Sequence, residues 1–315
     1  MKLQTNIPLL PAANQINYPQ KVLLLGSCFS NNIGQKLAYY KFQVVSNPFG
    51  ILFHPLAIQN LVQRALQQEK FTKQDLFYAN ERWQSFQVHS QCSHSNDAAM
   101  LQQLNEALTH LSHHLHHASH MFITLGTAWA YRHTKTQQYV ANCHKVPQNK
   151  FTKELLTIPQ LQRSLQDIIN KIHNVNPGAH IIFTISPVRH LKDGFIQNQQ
   201  SKAHLITAVH NLLATTQQTH YFPAYEIVMD ELRDYRFYTE DMLHPNTTAV
   251  NYIWQRFTQV WIDSEAEPTM KQIENIQTGL AHRPFDATTT AHATFTEKLQ
   301  KKIKALQQKH PHITF

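Results

Sequence analysis

Short apolar runs of strand length recur along this chain at 22–25, 42–45, 121–125, 181–185 and 221–222, and amphipathic stretches separate them. This alternation constrains the fold more than any other feature. Ile33 and Leu37 mark the first amphipathic stretch, and Leu56, Leu61, Val62, Ala65 and Leu66 the second. Leu101, Leu104, Leu108 and Leu111 mark the third, and Leu161, Leu165, Ile168, Ile169 and Ile172 the fourth. Leu205, Val209, Leu212 and Leu213 complete the series. Strands that alternate with helices form a parallel sheet covered on both faces. Right-handed crossovers then give a three-layer α/β/α sandwich. In such sheets the reactive residues collect at the carboxyl ends of the strands.

The last helix of this core is signalled by His244-Pro245-Asn246. Pro245 disfavours helix at His244, Asn246 suits the N-cap, and Ala249, Val250, Ile253, Trp254, Phe257, Val260 and Trp261 recur at helical spacing. Residues 1–262 therefore read as one domain. Within it, 71–96 follows no clean helical period and reads as an insertion of short strands or an ordered loop. Residues 263–315 read as a C-terminal helical appendage, with one helix over 267–280 and a basic one over 295–308.

Hydrophobic residues make up 42% of the 315 and charged residues only 15%, which gives a real core rather than a disordered chain. Three cysteines do not make a disulfide framework, and no run reaches membrane-spanning length. A reduced, cytoplasmic protein without a membrane partner is the expectation. The net charge is +8, but the basic residues are scattered apart from Lys298, Lys301, Lys302 and Lys304. No nucleic-acid motif accompanies that tail, so nucleic acid is not expected as a partner. His110, His113, His114, His116, His117 and His120 include pairs at i,i+4, but no cysteine or carboxylate completes a metal set, and neither metal nor cofactor is expected. Glu226, Asp230, Arg233, Asp234 and Arg236 read as an ion-pair network ahead of Asp241.

Two stretches carry chemistry. In KVLLLGSCFS, residues 21–30, the strand stops at Gly26 and two nucleophile candidates follow, Ser27 and Cys28. Both fall at the N-terminus of the next helix, where unpaired N–H groups and the macrodipole favour negative charge. A thiol placed there is expected to have a lowered pKa, and its own N–H can bind an oxyanion. In YTEDMLHPN, residues 238–246, Asp241 and His244 are spaced so that the carboxylate can hold one imidazole nitrogen while the other faces a nucleophile.

The motifs GSCF at 26–29, NPFGILFHP at 47–55, LGTAWAY at 125–131, NCHK at 142–145, SPVRH at 186–190 and DMLHPN at 241–246 resemble the GSCFA family. Ser30 stands where that family's name has alanine. The family is similar to the SGNH/GDSL hydrolases, which cleave or transfer acyl esters. The resemblance implies a five-stranded, flavodoxin-like parallel sheet in the order 2-1-3-4-5. Laying GSCF on Gly-Asp-Ser-Leu puts Cys28 on the nucleophile and Ser27 in the supporting turn, and Asp241 and His244 match the closing Asp-x-x-His. The superfamily's oxyanion hole would be supplied by the Cys28 and Gly50 N–H groups. The Asn expected after the third strand is missing, and Asn142 is the candidate replacement. His144, Lys145, Arg189, His190 and His89 are candidates for binding substrate.

These readings define an acyl-ester hydrolase or acyltransferase working through a covalent acyl-enzyme on a small-molecule or carbohydrate ester. The alternative is a non-catalytic binding module that keeps the fold and holds an acylated or anionic ligand. The expected geometry has His244 reaching Cys28, Asp241 on the far imidazole nitrogen, and Ser27 bonded to nearby backbone.

Overall fold

The computed structural model describes residues 4–286 and 288–315. Its centre is a parallel sheet of β1 (Lys21–Gly26), β2 (Gln43–Ser46), β5 (His120–Leu125), β9 (His180–Ile185) and β10 (Thr219–Tyr221), ordered β2-β1-β5-β9-β10. In chain order these are the first to fifth sheet strands, so the arrangement is 2-1-3-4-5, as the resemblance implied. Every neighbouring pair in it is parallel.

The two faces of the sheet bury two separate cores. Leu23, Leu25, Met121, Ile123, Leu125, Ile181, Phe183 and Ile185 face one layer, made by α2 (Pro55–Leu66), α3 (Asp97–His117), α4 (Ile158–Val175) and α5 (Phe195–Leu213). Val22, Leu24, Phe122 and Ile182 face the other, made by α1 (Cys28–Tyr39) and α7 (Thr247–Trp261). Side chains alternate across a strand, so apolar residues at successive positions of the central strands demand cover on both sides. α8 (Glu267–Ala281) and α9 (Thr290–Lys309) extend the second layer, with Ile273, Ile276, Leu299 and Ile303 buried in the same core as Trp254 and Phe257. Among the described residues no helix is long and apolar enough to cross a membrane.

Several elements differ from the sequence reading. The fifth sheet strand is Thr219–Tyr221, and Phe222 lies just beyond it. α9 starts at Thr290, well before residue 295, because the Thr289 side chain caps it by accepting from the His292 N–H. Strands β3 (Phe77–Ala79) and β4 (Arg82–Gln84) form an antiparallel hairpin after α2. A second small sheet, which the apolar pattern did not reveal, follows β5: β6 (Trp129–His133) pairs antiparallel with β7 (Tyr139–Val140) and β8 (Phe151–Leu155). After β10 a short α6 (Ala224–Glu226) passes into a wide turn over Ile227–Leu232.

Candidate active site at the carboxyl edge of the sheet

The end of β1 is built for a sharp turn against its neighbour. Gly26 has φ +127°, and a methyl group there would land on the Thr124 carbonyl of β5. The Ser27 N–H donates to that same carbonyl oxygen at 3.0 Å, and the Ser30 hydroxyl donates to Thr124 Oγ1 at 2.8 Å. From the other side Asn47 Oδ1 accepts from the Gly26 N–H at 2.8 Å, and Asn47 Nδ2 donates to Asn31 Oδ1 at 2.8 Å. Asn47 thus locks the turn, a role that its place in NPFG did not disclose.

Ser27 is the N-cap of α1: its Oγ accepts from the Phe29 N–H at 3.3 Å, and the residue is 2% exposed. Cys28, half-buried, opens the helix. The expected low thiol pKa is not found. Burial pushes the Cys28 thiol up, and the Asp241 charge adds to this; together they outweigh its own and the Phe29 N–H groups and the Lys202 ammonium, which pull it down. The helix terminus acts here on a group that has lost its water, and desolvation of the thiolate wins.

The second stretch folds as a tight turn between Tyr238 and Pro245, which form an antiparallel bridge. Asp241 Oδ1 accepts from the Thr239 hydroxyl at 2.6 Å, the Leu243 N–H at 2.8 Å and the His244 N–H at 3.1 Å. Its Oδ2 accepts from His244 Nδ1 at 2.6 Å. These bonds, that from Thr239 foremost, hold the Asp241 carboxyl below the ordinary carboxylate range. With Nδ1 donating, the His244 Nε2 is left as the acceptor, and the side chain is half exposed. Among the described residues no hydrogen bond joins the thiol to this ring.

Arg189 holds the turn in place. Its N–H donates to the Leu243 carbonyl at 3.0 Å and its Nη1 to the Met242 carbonyl at 2.9 Å, while its guanidinium packs on Phe195, Tyr235 and Tyr238. Beyond Arg189 opens a cavity of about 480 Å³ lined by Tyr225, Tyr235 and Tyr238 among others. The expected ion-pair network beside this segment reduces to one pair, Arg236–Asp234 at 2.9 Å, while Glu226 accepts from the Tyr221 hydroxyl at 2.7 Å.

His190 stands beside Gly126 and Phe53, and its Nε2 is buried without a hydrogen-bond partner among the described residues. Burial, helped by the Lys202 and His244 charges, pushes it down to about 3, so the ring is neutral. Lys202 was not singled out from the sequence. It is 1% exposed on α5, and its Nζ donates to the carbonyls of Gly126 and Ser186, both at 2.7 Å. Burial pushes it down to about 7. Its signal was positional: Asn198, Ser201 and Lys202 occupy the same buried stripe of α5 as Leu205, Val209 and Leu212.

Four other candidates make local contacts. The Gly50 N–H is taken by the Asn47 carbonyl at 2.8 Å, which closes a turn and leaves no donor for an oxyanion. Gly50 is instead the seat of His89, whose Cβ lies 2.5 Å from where a Gly50 methyl would sit; His89 Nδ1 accepts from the Gln91 N–H at 3.3 Å. Asn142 Oδ1 accepts from the His144 N–H at 2.8 Å. His144 is buried against Phe77 and Phe86, with its Nε2 bonded to the Ser85 carbonyl at 2.7 Å, so it braces the hairpin instead of facing a cleft. Lys145, next to it, is exposed, with φ +60°. At the carboxyl edge Cys28 lies within the field of Lys202 and Asp241, and His190 within that of Lys202 and His244, while the Gly50 N–H and the His144 ring are engaged in local bonds.

The fold is a three-layer α/β/α sandwich around a five-stranded parallel sheet in the order 2-1-3-4-5. Residues 21–257 match the GSCFA family, and the chain belongs to it. Residues 273–315 match the C-terminal domain of GSCFA domain proteins. No curated protein sequence matches the chain. Among solved structures it is similar to a carbohydrate esterase family 3 from Talaromyces cellulolyticus, with 9% identity over 81% of this chain and 99% of that one and a TM-score of 0.35. It is also similar to an acetyl xylan esterase from Butyrivibrio proteoclasticus, with 10% identity over 88% and 66% and a TM-score of 0.37. A family two carbohydrate esterase from Clostridium thermocellum aligns with 12% identity over 77% of this chain and 63% of that one, with a TM-score of 0.34.

Proposed function

We propose that the chain is an esterase or acyltransferase whose nucleophile is Cys28. The observation that carries this is the His244–Asp241 pair, fixed at 2.6 Å with Nε2 left free, on the same sheet edge as a cysteine at the first position of a helix. In this reading His244 Nε2 takes the thiol proton as Sγ attacks the ester carbonyl carbon. The tetrahedral oxyanion is bound by the Cys28 N–H, which has no intrahelical partner. The C–O bond then breaks, the leaving alcohol takes the proton from His244, and water or a sugar hydroxyl resolves the thioester. A carbohydrate ester suits the tyrosine-lined cavity beyond Arg189, where a sugar ring has aromatic faces to pack on. The chemistry falls within residues 1–262, and 263–315 brace α1 and α7 from outside.

The test is hydrolysis of p-nitrophenyl acetate, and acetyl transfer from acetyl-CoA to sugar acceptors, with Cys28→Ala and His244→Ala beside the wild type. Each variant should lose about a thousandfold or more. Full rates in both would refute the assignment. A second reading, a module that holds an acylated or anionic ligand without turning it over, is favoured by the raised thiol and by the lack of a thiol–imidazole hydrogen bond. It predicts that activated esters leave no acyl group on Cys28 by intact mass.

A further inference from the structure

The cavity beyond Arg189 shares its walls with the turn that carries His244. Arg189 is bonded to the Met242 and Leu243 carbonyls, and Tyr238 pairs with Pro245 across that turn. The remaining walls come from the start of α5, at Asn198 and Gln199, from Tyr225, and from the wide turn at Val228, Met229 and Asp230. A volume of about 480 Å³ suits a small ligand.

The polar groups of this lining are largely donors without acceptors. Among the described residues Arg189 Nη1 donates to the Met242 carbonyl, but its Nε and Nη2 make no hydrogen bond. Asn198 is 4% exposed; its Oδ1 accepts from the His190 N–H at 2.9 Å, and its Nδ2 donates to nothing among the described residues. The Tyr238 hydroxyl is buried without a partner, on a residue 9% exposed. Only the Tyr225 hydroxyl is engaged, donating to Gln199 at 2.8 Å. Guanidinium and amide nitrogens cannot accept, and a buried polar group without a partner is unfavourable, so these idle groups fit a ligand rich in acceptor oxygens.

Charge points the same way. Of the two carboxylates that line the cavity, Asp234 is paired with Arg236 at 2.9 Å, and exposed Asp230 is balanced in charge by exposed Arg233. The Arg189 guanidinium, packed on Phe195, Tyr235 and Tyr238, has no anion among the described residues. α5 begins at Phe195 with no acidic residue in its first turn, so the positive end of its dipole adds to the same sign.

We infer that this cavity is the subsite for the alcohol half of the ester, and that it selects an alcohol carrying a negative charge, a sugar acid or a sugar phosphate. Which half it holds rests on the proposed reaction: His244 returns its proton to the leaving alcohol, so the alcohol departs on the side of the His244 turn. The Nε–Nη2 edge of Arg189 offers two parallel N–H groups to a carboxylate or phosphate. The Asn198 amide and the Tyr238 hydroxyl take further oxygens, and the sugar ring packs on Tyr225 and Tyr235.

The experiment is isothermal titration calorimetry of methyl glucoside, methyl glucuronide and glucose 6-phosphate into the full-length wild type, Tyr238→Phe and Arg189→Gln, at low and moderate salt. At least one charged sugar should bind the wild type about tenfold or more tightly than methyl glucoside, and salt should erode the difference. Which of the two does so tells carboxylate from phosphate. Arg189→Gln should abolish the preference. Tyr238→Phe, which removes one oxygen, should weaken the charged sugar about three- to tenfold, and it decides the matter if Arg189→Gln does not fold. Three sugars bound alike, or none bound, overturn the proposal, as does a charge preference that survives both variants. Acetylated methyl glucoside and methyl glucuronide separate the subsite from the reaction. Hydrolysis of both at equal kcat/KM removes the charged subsite and leaves the esterase. Binding of a charged sugar that is lost in Arg189→Gln, by a protein that hydrolyses neither ester, leaves the anionic-sugar site and removes the acyl-transfer reading.

Discussion

Gly26→Ala is the sharpest perturbation of the turn that presents Cys28. At φ +127° the backbone lies outside the regions open to L-residues, which costs about 1–3 kcal/mol for a side chain held there. The new methyl would meet backbone on β5, overlapping the Thr124 oxygen and lying 2.8 Å from its carbonyl carbon and 2.9 Å from its nitrogen. Backbone in a central strand cannot swing aside as a flexible side chain can, so relief must come from parting β1 and β5. That stretches the Ser27 N–H bond to Thr124 at 3.0 Å and the Ser30–Thr124 hydroxyl bond at 2.8 Å, each worth about 1 kcal/mol. The sum is about 3–5 kcal/mol, a large part of the roughly 5–15 kcal/mol of an ordinary domain. Urea unfolding of Gly26→Ala should show a lower midpoint at unchanged slope. Gly178→Ala, where an added methyl meets nothing within 4 Å, is the control and should fall within about 0.5 kcal/mol of wild type. If Gly26→Ala costs less than about 1 kcal/mol, the close approach of β1 to Thr124 is wrong, and with it the geometry assigned to the Cys28 turn.

Two further outcomes follow from buried charge. Arg64, stacked 4.0 Å over Phe71, holds both Asp75 oxygens, at 3.0 and 2.9 Å; Arg64→Met should cost about 3–5 kcal/mol in urea, and a cost below about 1 kcal/mol would show that Asp75 finds solvent unaided. His54 and His120 are each pushed down by burial to about 4. Their unfolded forms bind protons first as pH falls, so the stability they contribute is full above about 6.5 and is lost from there toward pH 4, by about 3 kcal/mol apiece. His54→Asn, which can keep a cap acceptor for Ala57, should flatten the urea midpoint's dependence on pH over that window; an unaltered slope would mean His54 is protonated in the fold.

The sheet was legible because burial on both faces fills most positions of β1, β5 and β9 with apolar residues, Thr124 and Thr184 being buried exceptions, and a nearly continuous apolar run is visible without neighbours. The β6–β8 sheet was not, because Trp129, Tyr131, Arg132 and His133 are only half-buried and Thr152 and Lys153 are exposed, so neither face carries a continuous apolar stripe. β10 was misplaced for the same reason: Thr219 and His220 form an edge strand of mixed character, while apolar Phe222 is buried outside the ladder.

At the site, sequence spacing succeeded where chemistry is local and failed where it depends on where a backbone bond goes. Asp241 and His244 lie in one turn, so their spacing alone places the carboxylate on the imidazole, and Pro245 keeps the ring out of α7. Gly50 matched the position that a donor should occupy, but a donor is useful only if it is free. The Gly50 N–H closes its own turn, whereas Asn142 accepts the His144 N–H on its Oδ1 and keeps its Nδ2 as a donor. Lys202 fails in the opposite direction. A lysine in an amphipathic helix is ordinarily a solvated charge, and nothing within a few residues marks it as otherwise. What marks it is the stripe: Asn198, Ser201 and Lys202 take the places where Leu205, Val209 and Leu212 continue one turn after another. A polar residue on a core-facing stripe must find partners inside the protein. Those of Lys202 are the carbonyls at two strand ends, supplied by residues 76 and 16 positions away. Polar residues that interrupt an apolar helix face at the end nearer a sheet's carboxyl edge are therefore where a sequence of this fold class should first be searched for buried polar groups of the site.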